Sequence, residues 1–182
     1  MTTITRLAES DARARLDDLV ALLADAVNSG SSVGFLRPMD AGIARDYWLE
    51  VLAGVAGGSR ILLAARDGAA IVGSAQLDLA GRPNGVHRAE VQKVIVRSSH
   101  RRRGIASALM QAIEREAQAA GRSLLVLDTE VGAGAEPFYE ALQWQRVGFY
   151  GRNCGIHDIL RVQFFDNSSS SVCGFPIRYP CA

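Results

Sequence analysis

An apolar strand pattern, a basic loop and an amphipathic helix follow one another directly between residues 88 and 120. The strand pattern is RAEVQKVIVR, over 88–97, and the helix pattern runs through Ala120 with Gly121 as its stop. The next segment, SLLVLD over 123–128, is a short apolar run typical of a strand covered on both faces. A strand, a helix and a second strand in this order predict a parallel strand pair joined by a crossover helix.

The segments before this unit predict antiparallel strands. RILLAAR (60–66) and AIVGSAQLDL (70–79) are separated by Asp67-Gly68, a signal for a two-residue hairpin loop. Residues 3–7 alternate weakly between polar and apolar types and add a first strand. Parallel and antiparallel pairs in one chain predict a mixed sheet.

Helix signals lie on both sides of these strands. One helix is expected from an N-cap at Ser10 to Asn28, and a second from an N-cap at Asp40 to the Gly57-Gly58 stop. A further helix is expected over 135–143. The predicted fold class is therefore α/β (α+β), a mixed central β-sheet of about six to seven strands flanked by about four helices.

The overall composition excludes several classes of protein. The chain has 182 residues, 48% of them hydrophobic, and a formal net charge of +1. We expect a single domain over 1–165 and an irregular or flexible tail over 166–182, where NSSSSVCGFPIRYPCA differs in character from the rest. No signal peptide and no apolar run of the ~18 residues that span a bilayer are evident, which predicts a cytoplasmic protein with no membrane partner.

The cysteines do not indicate a metal or a disulfide framework. There are three of them, near the carboxyl end and without a CxxC pair, so we expect no metal. Cys154 precedes His157 and Asp158 closely, but neighbours in one loop rarely have the geometry of a nucleophilic triad. Surface thiols are the simpler interpretation.

The loop SSHRRRGIAS, over 98–107, combines positive charge with a helix start. It leaves the end of a buried strand, where α/β sheets bind ligands, and the unpaired N–H groups of a helix N-terminus attract phosphate. Gly104 and Ala106 leave the backbone accessible. A nucleic-acid patch and a solvated basic turn are the alternatives. The net charge and the lack of further phosphate contacts or stacking aromatics weigh against nucleic acid.

The spacing Arg101-x-x-Gly104-x-Ala106 resembles the R/Q-x-x-G-x-G/A signature of the GNAT superfamily of acetyl-CoA-dependent N-acetyltransferases. VQKVIV before it, and LLVLD and AEPFY after it, also resemble that family, so the resemblance runs from roughly residue 60 to 149. SVGF, SAQL, RPNGVHRAEVQK, LDTE and AEPFY further resemble the tabtoxin resistance acetyltransferases, which acetylate a small amino-acid-like toxin.

The resemblance implies the GNAT fold, acetyl-CoA as acetyl donor and a set of cofactor-binding residues. The diphosphate would bind the helix start and the basic loop, at Arg101, Arg102, Arg103, Gly104, Ile105, Ala106 and Ser107. The pantetheine arm would pair with the backbone of the preceding strand, at Val94, Ile95 and Val96. In the superfamily this strand has a bulge, and an amide near Val94 or Ile95 stabilises the oxyanion.

Three side chains are candidate catalytic groups. A lysine-like amine has a pKa of about 10.4, so a base helps to form the neutral nucleophile. Glu90 on the central strand and Asp128 at the end of the neighbouring strand are the candidate bases, while a simple surface ion pair is the alternative for Glu90. The resemblance makes Tyr139 the proton donor to the departing thiolate, and core packing is its alternative role.

We therefore expect an acyltransferase of the EC 2.3.1 class that acetylates the primary amine of a small molecule, such as an amino-acid-like toxin or antibiotic. Attack would be direct, in a ternary complex, and the enzyme would be a monomer or homodimer. Peptide or protein N-acetylation and a non-catalytic acyl-CoA-binding module are the alternatives.

Departures from the family pattern bear on activity. Gly132 stands where the family often has Asn, and Gln143-Trp144 replaces the usual Gly-Phe. After Phe149 the resemblance ends, apart from a weak strand pattern, ILRVQFF, over 159–165. Loss of the final strand pair of the fold would endanger activity even with the cofactor site intact.

Overall fold

A computed structural model describes residues 1–130, 134–151 and 157–164 of the chain. Its strands are β1 (Thr3–Arg6), β2 (Arg60–Asp67), β3 (Ala70–Leu79), β4 (Arg88–Val96), β5 (Leu124–Glu130), β6 (Gln145–Gly151) and β7 (His157–Phe164). Its α-helices are α1 (Glu9–Ala14), α2 (Leu16–Asn28), α3 (Ala41–Ala56), α4 (Ile105–Ala119) and α5 (Glu136–Ala141).

The strands form one mixed sheet of seven, in the order β1-β2-β3-β4-β5-β7-β6. Strands β1 to β4 pair antiparallel with their neighbours, β4 and β5 pair parallel, and β7 lies antiparallel between β5 and β6. Helix α4 is the crossover between the two parallel strands. The predicted fold class and the predicted parallel pair are both confirmed.

Helices cover both faces of the sheet, and each face has its own apolar core. On one face α1, α2 and α3 pack around Trp48, Leu62 and Ile95, and on the other α4 and α5 pack around Leu109, Leu125 and Tyr139. Successive side chains along β4 alternate between these two cores. Ala89 and Val91 belong to the α4 core, so the intervening side chain of Glu90 points to the α3 face.

The first predicted helix is divided in two. The chain leaves helical geometry at Arg15, which separates α1 from α2. The predicted N-cap at Ser10 is wrong, because Ser10 lies inside α1. The N-cap is Ala8, which supplies no side-chain acceptor. The N-cap at Asp40 is confirmed, since its Oδ1 accepts a hydrogen bond from the N–H of Ile43 at 3.0 Å.

Two strand predictions need correction. The loop of the β2–β3 hairpin is Gly68-Ala69, one residue later than predicted, because Asp67 and Ala70 still pair in the sheet. Strand β6 was not predicted at all, whereas β7 matches the weak pattern over 159–165 to within two residues at its start. The final strand pair, whose absence would endanger activity, is present as backbone in the sheet.

Some expectations lie outside the described residues. These are the ones on Gly132, on Cys154 and on the tail over 166–182. Within the described residues, no helix is both long and apolar enough to cross a membrane.

Gly73 lies where β3, β4 and α4 approach one another most closely. A Cβ at this position would be 3.0 Å from the carbonyl oxygen of Ile95 and 3.3 Å from Cδ1 of Leu109. The neighbouring backbone cannot move away without disturbing the strand that carries the candidate site. The glycine is thus required by space and not by a left-handed conformation.

We predict that Gly73→Ala lowers the free energy of unfolding by about 1–3 kcal/mol, because the methyl group overpacks the contact between sheet and helix. Denaturant titration followed by circular dichroism measures this change. Gly81→Ala is the control, since a Cβ there meets nothing within 4 Å. Equal stability of the two variants would contradict the close approach.

Candidate functional site

A β-bulge interrupts β4 at the centre of the sheet. Ser74 pairs with Ile95 and Gln76 pairs with Gln92, so one residue of β3 lies opposite both Lys93 and Val94. Lys93 has φ of 48°, in the left-handed region that side chains rarely adopt. A bulge bends its strand and turns backbone groups out of the regular ladder.

The parallel pairing of β4 and β5 is short. It covers Arg88 to Glu90 on β4 and Leu124 to Val126 on β5, and the pairing ends there. Strand β5 continues to Glu130, paired with β7 on its other side. The β5-side edge of residues 91–96 therefore has no strand partner among the described residues, and the gap between this edge and β5 is referred to below as the cleft.

The residues predicted to bind pantetheine lie along this open edge. Ile95 is buried in the α2–α3 core, and Val94 and Val96 are partly buried against the α4 core. Their side chains are thus anchored on both faces of the sheet, while the β5 side of their backbone pairs with no strand among the described residues. An extended ligand can pair with such an edge as an added strand does.

The cleft leads to the N-terminus of α4. Gly104 is the N-cap, with φ of 76°, and no side chain caps the helix. Gly104 is exposed, and a Cβ on it would meet nothing within 4 Å. The N–H groups of Ile105, Ala106 and Ser107 thus open the helix toward free space, the arrangement that binds anionic groups.

The three arginines of the loop have different surroundings. Arg101 donates through Nε to the carbonyl oxygen of Val96 at 3.4 Å and through Nη2 to Ser29 and to Ser31 at the end of α2. Arg103 donates to the carbonyl oxygen of Ser99 at 3.0 Å. These two side chains hold the loop in shape.

Arg102 is exposed, has φ of 62°, and makes no hydrogen bond within the part of the chain that the structure describes. Of the three arginines it is the one whose guanidinium is available to an anion. This left-handed residue lies two residues before Gly104, in the turn that leads into α4.

Asp25 is a second anchor of this loop, and sequence reasoning missed it. Its carboxylate accepts hydrogen bonds from the N–H and the hydroxyl of Ser98, at 2.6 and 2.7 Å. Asp25 lies on α2, far from Ser98 in sequence, and a polar residue on an amphipathic helix gives no signal of such a contact. The basic loop is thus fixed from the opposite face of the sheet.

The two predicted bases lie near the point where the strands part. Glu90 pairs in register with Val126, and Asp128 is two residues farther along β5, so both project to the face opposite α4. Both residues are exposed. Glu90 also accepts a hydrogen bond from Nε2 of Gln92 at 2.9 Å, which orients its carboxylate.

Tyr139 is held in the α4 core on the short helix α5. Its ring contacts Phe138 edge-on, with centroids 5.1 Å apart, and lies 6.2 Å from the ring of Trp144. Trp144 donates to Oε1 of Glu114 on α4 at 3.2 Å, and burial raises the pKa of Glu114 despite that hydrogen bond. These contacts fix the position of the tyrosine relative to α4.

Gln143 lies in the turn after α5, at the position where the family resemblance implies glycine. Gln143 has φ of 63°, so a left-handed residue still ends the helix, at a cost of about 1–2 kcal/mol compared with glycine. The N–H of Trp144 donates to the carbonyl oxygen of Tyr139 at 3.0 Å. Trp144 is buried and supplies aromatic packing at the end of α5.

Comparison with known proteins agrees with this geometry. The model of the acetyltransferase (GNAT) family matches residues 29–144. An uncharacterized N-acetyltransferase from the hisH-hisA intergenic region of Azospirillum brasilense is 35% identical over 124 residues, which cover 67% of this chain and 72% of that protein.

Solved structures share the fold at lower identity. The ribosomal-protein-alanine N-acetyltransferase of Brucella melitensis is 22% identical, with a TM-score of 0.71 over 89% of this chain and 99% of that one. An aminoglycoside 6'-N-acetyltransferase in complex with coenzyme A is 20% identical, with a TM-score of 0.71 over 89% and 96%. The bulged strand, the open cleft and the uncapped helix thus occur in a chain that belongs to the GNAT family of acetyltransferases.

Proposed function

We propose that this protein transfers the acetyl group of acetyl-CoA to the primary amine of a small molecule by direct attack in a ternary complex. The observation that carries the proposal is the continuity of the unpaired edge of β4, beyond the bulge, with the uncapped N-terminus of α4. One extended thioester with a diphosphate at its far end fits both features. Coenzyme A is also the ligand in the aminoglycoside acetyltransferase of similar fold.

In this proposal the N–H groups of Gly104 to Ser107 bind the diphosphate, and Arg102 adds charge beside it. Charge-assisted hydrogen bonds contribute about 1.5–3 kcal/mol each, more than the 0.3–1 kcal/mol of the helix dipole. The backbone of Val94 and Val96 pairs with the amides of pantetheine. The thioester then lies at the bulge, where an amide near Val94 or Ile95 donates to the developing oxyanion.

The chemistry begins with removal of a proton from the acceptor ammonium. Glu90, directly or through water, takes this proton, and Asp128 on the neighbouring strand is the second candidate. The neutral amine attacks the thioester carbonyl, and the attacking nitrogen loses its second proton to solvent as the carbon–sulfur bond breaks. Tyr139 donates a proton to the departing thiolate and is reprotonated from solvent. The products are the acetylated amine and coenzyme A.

We favour a small-molecule acceptor over a peptide or protein, because the carboxylates of Glu90 and Asp128 at the strand ends suit a compact cationic amine. A resistance role toward an amino-acid-like toxin or antibiotic, a cytoplasmic location and a monomeric or dimeric state belong to the same proposal. The test is incubation with acetyl-CoA and an amine panel, read by thiol release and by the mass gain of one acetyl group. Binding of acetyl-CoA without turnover of any amine or peptide would instead indicate a non-catalytic module.

We predict that Gly104→Ala weakens acetyl-CoA binding about tenfold or more, because the new methyl group occupies the space where the diphosphate meets the helix. Isothermal titration calorimetry measures the affinity. Gly121→Ala is a matched control at the other end of α4, with φ of 70° and equally open space around a Cβ. Both variants bear the same backbone strain, about 1–2 kcal/mol, so equal affinities would refute the diphosphate site.

We predict that Tyr139→Phe lowers kcat by about 10²-fold or more while the Kd for acetyl-CoA stays nearly unchanged, since only the proton donor to the thiolate is lost. Steady-state kinetics and calorimetry separate the two effects. Because the ring is retained, its packing against Phe138 and Trp144 is preserved. Wild-type turnover in this variant would remove Tyr139 from the mechanism.

We predict that Glu90→Gln lowers kcat/KM at about pH 7 by roughly 10²-fold, and that the loss becomes smaller as the pH rises toward the pKa of the acceptor amine. At higher pH more of the amine is already neutral, so a base is needed less. A pH–rate profile of this variant beside Asp128→Asn shows which carboxylate is the base. A loss independent of pH in both variants would exclude a proton-removing role for either.

A further inference from the structure

The chain has 20 lysine and arginine residues. Lys93 is the only lysine among them, and all the others are arginines. It lies in the bulge of β4 with φ of 48°. A lysine here supplies a compact ammonium on a flexible stem, whereas an arginine would supply a broad planar guanidinium. Neither the cofactor site nor the proposed proton transfers use this side chain.

Two aromatic rings fix the ammonium of Lys93. Its Nζ lies 5.5 Å from the ring centroid of Phe35, in the segment between α2 and α3, and 5.5 Å from that of Tyr47 on α3. The two rings meet edge to face at 5.3 Å. A cation–π contact of this kind favours the charged ammonium and holds it on the α3 face, the face to which Glu90 projects.

Within the ranges that the structure describes, the ammonium of Lys93 has neither an ion-pair partner nor a side-chain hydrogen bond. Burial lowers the pKa of Lys93, the charge of Glu90 opposes this effect, and the charge of Arg60 adds to it. Asp78 does not compensate, because its carboxylate accepts from Nη2 of Arg60 at 2.6 Å.

A second donor in the same cluster is unpaired. Gln76 is fully buried, and its Oε1 accepts from the hydroxyl of Tyr47 at 3.0 Å and from Nη1 of Arg60 at 3.5 Å. Its Nε2 has no partner in the described part of the chain. Burial raises the pKa of Tyr47 to about 12, so its hydroxyl remains a donor to Gln76. Tyr47 thus contacts both the Lys93 ammonium and the Gln76 amide, and neither of these donors has an acceptor among the described residues.

We propose that Lys93 determines acceptor specificity by binding an anionic group, such as a carboxylate, on the small molecule whose amine is acetylated. The inference rests on the proposed function and adds a residue and a chemical class to it. The acceptor amine lies near Glu90 and the acceptor anion near Lys93, three residues farther along β4. A counter-ion that arrives with the substrate compensates the buried charge only in the productive complex.

The kinetic test uses acids paired with their primary amides, and kcat/KM is referred to the concentration of neutral amine because the amide group lowers the amine pKa. Glycine, β-alanine and γ-aminobutyrate are each compared with their primary amides, with acetyl-CoA as donor. The wild-type protein should prefer at least one acid over its amide, and Lys93→Met should lower kcat/KM for that acid by roughly 10- to 100-fold while changing the amide little. Lys93→Arg retains charge and should retain part of the preference. Equal losses for acid and amide, or a wild-type preference for every amide, would overturn the proposal.

A spectroscopic test works without turnover. Because Lys93 is the only lysine, isotope-labelled lysine gives one side-chain signal in NMR. Saturation with the preferred acid, or with all three acids if none is acetylated, should shift this signal and raise the apparent pKa of Lys93, and the amides should not. A shift caused by coenzyme A alone and by no acid would assign the lysine to a cofactor phosphate and overturn the proposal.

Failure of the proposed function and failure of the proposed anion site can be distinguished. If no amine is acetylated but the lysine signal responds to the acids and not to their amides, the proposed function fails and the anion site stands. If amines are acetylated but neither the signal nor the acid-to-amide ratio depends on Lys93, the function stands and the anion site fails.

Discussion

The bulge at Lys93 and Val94 is the constraint on which the rest of the site depends. One extra residue in β4 interrupts its ladder with β3, and the pairing of β4 with β5 ends just before it. A regular strand would have continued both ladders and closed the cleft. The sheet gives up backbone hydrogen bonds here and a left-handed residue accepts strain, so the cores on both faces must compensate.

Those cores also explain why the opening is stable. Ile95 is held by the α2–α3 core, and Val94 and Val96 by the α4 core, on either side of the unpaired edge. Because Gly73 has no side chain, β3 can approach the backbone of Ile95 closely. Packing on both faces therefore restrains this edge, and a restrained edge would lose less entropy if a ligand paired with it.

Much of the architecture could be predicted from local patterns. The parallel pair, the crossover helix and the Asp40 cap follow from periodicity and end signals that lie within a few residues of one another. Strand β6 could not be predicted in this way, because QRVGFYG contains two glycines and only weak alternation. Its place is set by pairing with β7, a contact between distant segments.

Only part of the geometry of the candidate site could be predicted, for the same reason. Glycine at the helix start and carboxylates at strand ends are visible in the sequence. The pairing of Asp25 with Ser98 and the aromatic contacts of Lys93 join segments more than 40 residues apart, and no local pattern indicates them. The bulge was expected only through the family resemblance, because residues 88–97 read as an unbroken strand.

The hydrogen bonds of Arg101 to Ser29 and Ser31 have a consequence for protein engineering. They attach the turn before α4 to the beginning of the segment that contains Phe35. A chimaera that imports residues 32–40 from a relative in order to change acceptor choice should therefore keep both serines from this chain. Replacing them along with the segment would alter the proposed cofactor site and the proposed acceptor site at once.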